Sequence, residues 1–218
     1  MNTLVYVAKD QSVVSLAALV VGKVGDCMVT ITIPDGASVE VIDDGGPSSL
    51  DISLVLGKGS QVKCRAQLVA REGHVERTMR AVCREREGVA TLFIACHTEG
   101  SGSITLTTIQ DHGASHTHSS VRIMGVSEQV SRATVSSTIH IEKNQKEVVA
   151  RQVHKHLLLD VGARAVSVPA LDILSDDVSC SHGSAITHLN ASHLFYLQAR
   201  GYDKKMARDA VVKAFLAN

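Results

Sequence analysis

Short runs of alternating apolar and polar residues, each cut off by a glycine-bearing turn, fill most of this chain between Cys27 and Pro169. Alternation sends successive side chains to opposite faces of an extended strand, so each run has one apolar face to bury and must find it a partner. Met28-Val29-Thr30-Ile31-Thr32-Ile33 stops at Pro34-Asp35-Gly36, and Ser38 to Ile42 stops at Asp43-Asp44-Gly45-Gly46-Pro47. Leu50 to Leu56, Gln61 to Leu68 and Ser103 to Thr107 repeat the pattern. Thr134 to Ile141 and His154 to Leu159 do so less regularly. Glycine recurs just ahead of strand-like runs at Gly36, Gly59, Gly102, Gly113 and Gly162, where a sharp corner needs torsions that other residues resist. No proline falls inside a clear run. A β-sandwich and a β-solenoid both fit. The spacing is irregular and fixes no rung length, so periodicity leaves the two open.

Composition tilts the choice. Aromatic residues make up only 3% of the chain and Trp is missing, whereas a sandwich of this length normally brings bulky core rings and long Greek-key connections. A solenoid stacks one rung on the next and can fill its interior with Val, Ile, Leu, Ala, Thr and Cys. The expected class is therefore mainly β, a solenoid over residues 1–188. Residues 189–218 read as a C-terminal helical segment. Asn190 is a good N-cap for Ala191 to Arg200, with Gly201 as the stop. Asp203 caps a second helix carrying Met206, Ala207, Ala210, Val211, Ala214 and Phe215 at helical spacing. Such a pair is expected to close one end of the solenoid.

Charge and cysteine usage narrow the function classes. Twenty-two basic residues balance twenty-two acidic ones, which gives no sign of a nucleic-acid or membrane-surface partner. No run approaches the roughly 18 apolar residues of a membrane helix, and the short Val13 to Val21 stretch lacks the basic flank of a signal peptide. Five scattered cysteines without a C-x-x-C pair argue against a disulfide framework or a tetrahedral zinc site, and fit a reducing cytoplasm. Gly57-Lys58-Gly59-Ser60 lacks the earlier glycine of a phosphate loop, and neither a G-x-S-x-G elbow nor an H-E-x-x-H motif occurs. The chain is expected not to be an enzyme. A carbohydrate-active β-helix would want a carboxylate cluster that is not evident.

Cys180 and His182 lie two residues apart, on one face of an extended segment. A soft thiolate beside an imidazole is half of an iron–sulfur or other transition-metal site. Clusters usually take about four protein ligands, so a second chain or a small thiol would have to supply the others. The plainer reading has Val178 and Cys180 facing the core and His182 ending the strand, and spacing alone favours it. His116 with His118, and His154 with His156, also stand two apart, with His112 and His140 possible neighbours. They could align across rungs into a metal site, but a polar outer face is the simpler expectation. Cys27, Cys64, Cys83 and Cys96 read as core filler.

Pro169-Ala170-Leu171-Asp172-Ile173, Asp176-Asp177-Val178, Cys180-Ser181-His182-Gly183-Ser184-Ala185 and Phe195-Tyr196-Leu197-Gln198-Ala199-Arg200-Gly201 follow one another in an order and spacing that resemble the C-terminal signature of the SufB/SufD family. The Cys-Ser-His-Gly spelling looks more like SufD than SufB, in a short form. The resemblance implies a flattened right-handed parallel β-helix followed by helices that dock a SufC-like ABC ATPase. It also implies pairing with a SufB-like paralogue or as a homodimer, and a scaffold role in iron–sulfur cluster assembly. The cluster would be transient and shared with the partner, with Cys180 and His182 as its cofactor-binding and metal residues here. Whether a flavin takes part is left open. The alternative is a β-solenoid binding or structural protein that has lost cluster chemistry.

Overall fold

The computed structural model describes residues 2–23 and 25–216. The chain winds as a solenoid in which each turn gives one strand to each of two sheets. In chain order the turns are β1 (Asn2–Val7) with β2 (Ser12–Ser15), β3 (Cys27–Ile33) with β4 (Ser38–Asp43), and β5 (Ser49–Leu56) with β6 (Gln61–Ala70). There follow β7 (His74–Cys83) with β8 (Val89–Thr98), β9 (Ser103–His112) with β10 (His118–Ser127), β11 (Arg132–Ile141) with β12 (Lys146–Leu158), and β13 (Arg164–Ile173) with β14 (Asp177–His188). Odd-numbered strands form one parallel seven-stranded sheet and even-numbered strands the other. A one-turn helix, α1 (Leu16–Leu19), follows β2, and α2 (Ala191–Gln198) and α3 (Lys204–Leu216) follow β14.

The alternation seen in the sequence explains this winding. Paired residues in neighbouring parallel strands point the same way, so matching apolar positions stack into columns: Val29 beside Ile52, Ile31 beside Leu54, Ile33 beside Leu56. The facing sheet answers with Val62 beside Ala90, Cys64 beside Leu92 and Ala66 beside Ile94. All of these lie in one continuous buried core. Burying a Val, Leu or Ile fully is worth roughly 1.5–3 kcal/mol, and with few rings available, repetition of that contribution holds the fold.

Several strands escaped the alternation signal, each for a physical reason. In β7 the inward position 77 is an arginine. Its Nε lies 2.8 Å from Asp43 Oδ2 as a buried ion pair, and its Nη1 donates to the Pro47 carbonyl at 3.4 Å. In β10 the outward residues Met124 and Val126 are apolar and buried, because α3 covers them. Pro169 lies inside β13 after all, where an edge strand leaves every second N–H unpaired and can tolerate it.

The tail is placed differently from expectation. Asn190 Oδ1 accepts from the Ser192 N–H at 2.8 Å and Asp203 Oδ1 from the Met206 N–H at 2.7 Å, so both caps form as the sequence indicates. However, α3 lies along the outside of the β10–β12 pair rather than over the end of the stack. Val211, Val212, Phe215 and Leu216 pack on Val126, Leu157 and Leu159. Arg208 adds ion pairs to Asp160 and, at 3.2 Å, to Glu128. The outward apolar positions Val126 and Leu157 on β10 and β12 give α3 its apolar seat. On the final rung, β13 with β14, Leu171 and Ile186 stay exposed among the described residues.

Candidate functional site

β14 pairs in register with β12, placing Cys180 beside Ala150, His182 beside Gln152, Ser184 beside His154 and Ile186 beside His156. Ala150, Gln152, His154 and His156 are all buried inside the solenoid, so their β14 partners face the interior too. Cys180 and His182 therefore share the inner face of the last rung. Cys180 is half-buried and packs with Val178 against Ile139, Ile141, Val148 and Ala150. Burial pushes its thiol up from the ordinary range, opposed by a backbone hydrogen bond from Ala150. His182 is exposed. It does not end the strand, which runs on to His188.

The rungs beneath are polar inside. Thr108, Gln110 and His112 on β9, Ser119 and Ser127 on β10, Ser137 on β11, and Gln152, His154 and His156 on β12 are all buried. The expected polar outer face for the histidines is thus corrected for His112, His154 and His156: they point inward, each held by hydroxyls. His112 lies 2.7 Å from both Thr117 Oγ1 and Ser119 Oγ. His154 Nδ1 is 2.8 Å from Ser167 Oγ, and His154 Nε2 is 3.3 Å from His156 Nδ1. His156 Nε2 in turn is 2.8 Å from Ser127 Oγ, which meets Thr98 Oγ1 at 2.7 Å. Removing these rings from water disfavours their charged forms. His112 and His154 fall to about 4 and His156 to about 3, the neighbouring His154 adding to the effect on His156. Gly125 makes this packing possible, since a Cβ there would stand 2.1 Å from the His156 ring.

Serine and threonine at neighbouring inward positions were the available signal for this network, but they look the same on either face of a strand. His118 does face outward, while His116 meets Glu147 at 3.2 Å and His140 meets Asp172 at 2.8 Å. Cys27, Cys64, Cys83 and Cys96 are buried and unbridged, as core filler should be. Burial pushes the Cys83 and Cys96 thiols up to about 12 and raises Cys64 as well, which makes them poor nucleophiles and ligands. Cys180 is the one described cysteine that is not fully buried.

Gln152 Oε1, directly under His182, is buried and has no hydrogen-bond partner among the described residues. The inner face of the last rung presents one thiol and one imidazole, fewer than a cluster needs, on a surface where His182 and Ile186 stay exposed among the described residues. No helix among the described residues is long and apolar enough to cross a membrane.

Comparison with known proteins shows the family. The SufBD core domain of the SUF system for FeS cluster assembly matches residues 3–215. An iron–sulfur cluster assembly SufBD family protein of Synechocystis is 27% identical over 183 residues, covering 79% of this chain and 38% of that protein. Protein ABCI7, chloroplastic, of Arabidopsis thaliana is 34% identical over 128 residues, covering 57% and 26%. The iron–sulfur cluster assembly protein SufD of Escherichia coli is 29% identical over 86 residues, covering 39% and 20%. The chain spans well under half the length of these relatives. With the match running from one end of the solenoid to α3, this chain belongs to the SufBD core family.

Proposed function

We propose that this chain is a non-enzymatic scaffold subunit for iron–sulfur cluster assembly, and that Cys180 and His182 hold the cluster at the last rung of the solenoid. One observation carries the reading. A thiol and an imidazole share the inner face of an edge strand, which among the described residues gives fewer ligands than a cluster takes and leaves Leu171 and Ile186 exposed. A second chain abutting β13 and β14 would meet both needs at once. It would bury Leu171 and Ile186 and bring the missing ligands. A SufB-like paralogue or a second copy of this chain is the partner in this reading, and the cluster is cargo, held in passing. ATP hydrolysis belongs to a SufC-like ABC ATPase docked on the C-terminal helices. Five cysteines with no disulfide among them support a reducing compartment, the cytoplasm in the simplest case.

Anaerobic reconstitution with iron and sulfide in the presence of the partner tests the site. The wild type should gain the visible absorption of a cluster and the C180A/H182A variant should not. Equal cluster content in the two would end the assignment. The second reading, a solenoid that keeps the fold without the chemistry, is favoured by the half-buried, raised Cys180 thiol. It predicts no iron uptake and no co-purification with an ABC ATPase.

A further inference from the structure

A second group of ligands lies on the outer face of the odd-numbered sheet, at the corner where β9 and β11 end. Asp111, His140 and Glu142 each present a ligand atom there, all within 4.8 Å of one another. Asp111 and His140 are register partners on adjacent strands, and Asp172 on β13 is the next in the same outward column. Two ligands about 2.1 Å from one ion stand at most about 4.2 Å apart, so small side-chain rotations close the group.

Three features set it apart from a chance cluster of surface charges. The first is the imidazole's orientation. His140 Nδ1 lies 2.8 Å from Asp172 Oδ2, the carboxylate–histidine arrangement that fixes a tautomer and leaves Nε2 free to bind a metal. The second is an orphaned acceptor, since Asp111 Oδ1 is buried and bonds to nothing among the described residues. The third is Arg84, which holds Asp111 Oδ2 at 2.7 Å and also pairs with Glu142 Oε1. It fixes one oxygen of each carboxylate and leaves the other oxygen unclaimed by it. Room for Arg84 comes from Gly113, where a Cβ would stand 2.5 Å from its Nη1. With Asp172 beside His140, the group holds three carboxylates against the one guanidinium that pairs with Asp111 and Glu142.

We propose that Asp111, His140 and Glu142 form a binding site for a divalent first-row transition ion, with Asp172 and Arg84 as positioning residues. One imidazole and two carboxylates suit Mn2+, Fe2+, Co2+ or Zn2+, rather than the thiolate-preferring Cu+. The site is separate from Cys180 and His182, and each can fail without the other.

The test uses Co2+ alone, titrated calorimetrically into the full chain carrying C180S/H182A, so that the last rung contributes no ligands. One ion should bind per chain and raise the unfolding temperature. D111N/H140A on that background should abolish uptake. D172N, which leaves every proposed ligand in place, should weaken binding by about 10- to 100-fold. D172N changes an exposed side chain, so it decides the matter even if D111N/H140A proves poorly folded. Absence of Co2+ uptake by the C180S/H182A chain, or unchanged affinity in D172N, would overturn the proposal.

Discussion

Between β3 and β8 the interior is almost entirely aliphatic, with the Asp43–Arg77 pair as its chief polar exception. From β9 onward the same winding encloses Thr108, Gln110, His112, Ser119, Ser137, Gln152, His154 and His156. The two regions share the same two sheets, so the difference lies in the side chains that each encloses. Aliphatic columns give stability cheaply, whereas buried polar groups must each find a partner or weaken the fold. The C-terminal rungs bear that burden next to the rung that carries Cys180 and His182, where we propose that the cluster is held.

Acid should break the comparison most forcefully. His112, His154 and His156 are held well below the ordinary 6.5 in the folded chain. The unfolded chain therefore takes up protons first as pH falls below about 6.5, and folding stability declines until the folded values of about 4 and 3 are reached. Three buried rings make the loss between pH 7 and 5 on the order of several kcal/mol. Urea unfolding at the two pH values measures it, and hydrogen exchange should show β9 to β12 losing protection before β3 to β6. Equal stability at both pH values would contradict the neutral, buried assignment.

The polar exception in the aliphatic half comes next in size. Burial works to raise the Asp43 carboxyl and to lower the Arg77 guanidinium, each opposed by the other's charge. Removing one partner leaves the other charge stranded, so Asp43→Ala should cost about 3–5 kcal/mol, while Asp43→Leu with Arg77→Met should recover most of that. Thermal unfolding of the two variants checks it. A double variant as unstable as the single would mean that the pair does more than neutralise itself.

Gln152 gives the smallest and most discriminating effect. Its unpartnered Oε1 costs stability in the isolated chain, so Gln152→Leu should be neutral or stabilising by about 1 kcal/mol. A loss greater than about 2 kcal/mol in chemical denaturation would show that the amide already has a partner and that the polar half is better satisfied than its geometry indicates.

The aliphatic half was the legible one. Met28 to Ile33 and Leu50 to Leu56 alternate cleanly because one face meets the core and the other meets water, and the strands fall there nearly residue for residue. The polar half obscured itself. His154 and His156 carry the same letters whether they face in or out, and only the register that stacks them on Ile123 and Gly125 puts them inside. The tail was half legible: both helix caps could be read locally, whereas the seat of α3 depended on Met124, Val126 and Leu157 pointing outward, which no local pattern announces. Cys180 and His182 were recognisable as a same-face pair from spacing. That their rung is the last is a property of the whole stack.

The most direct measurement compares labile iron and sulfide bound per chain after anaerobic reconstitution of the isolated chain, taken as its monomer, and of its complex with the partner, whether a SufB-like paralogue or a second copy. A site finished across the last rung predicts no stable cluster on the isolated chain, a cluster on the complex, and its loss in the C180A/H182A complex. A stable cluster on the isolated chain, or one undiminished in the variant complex, would contradict the account.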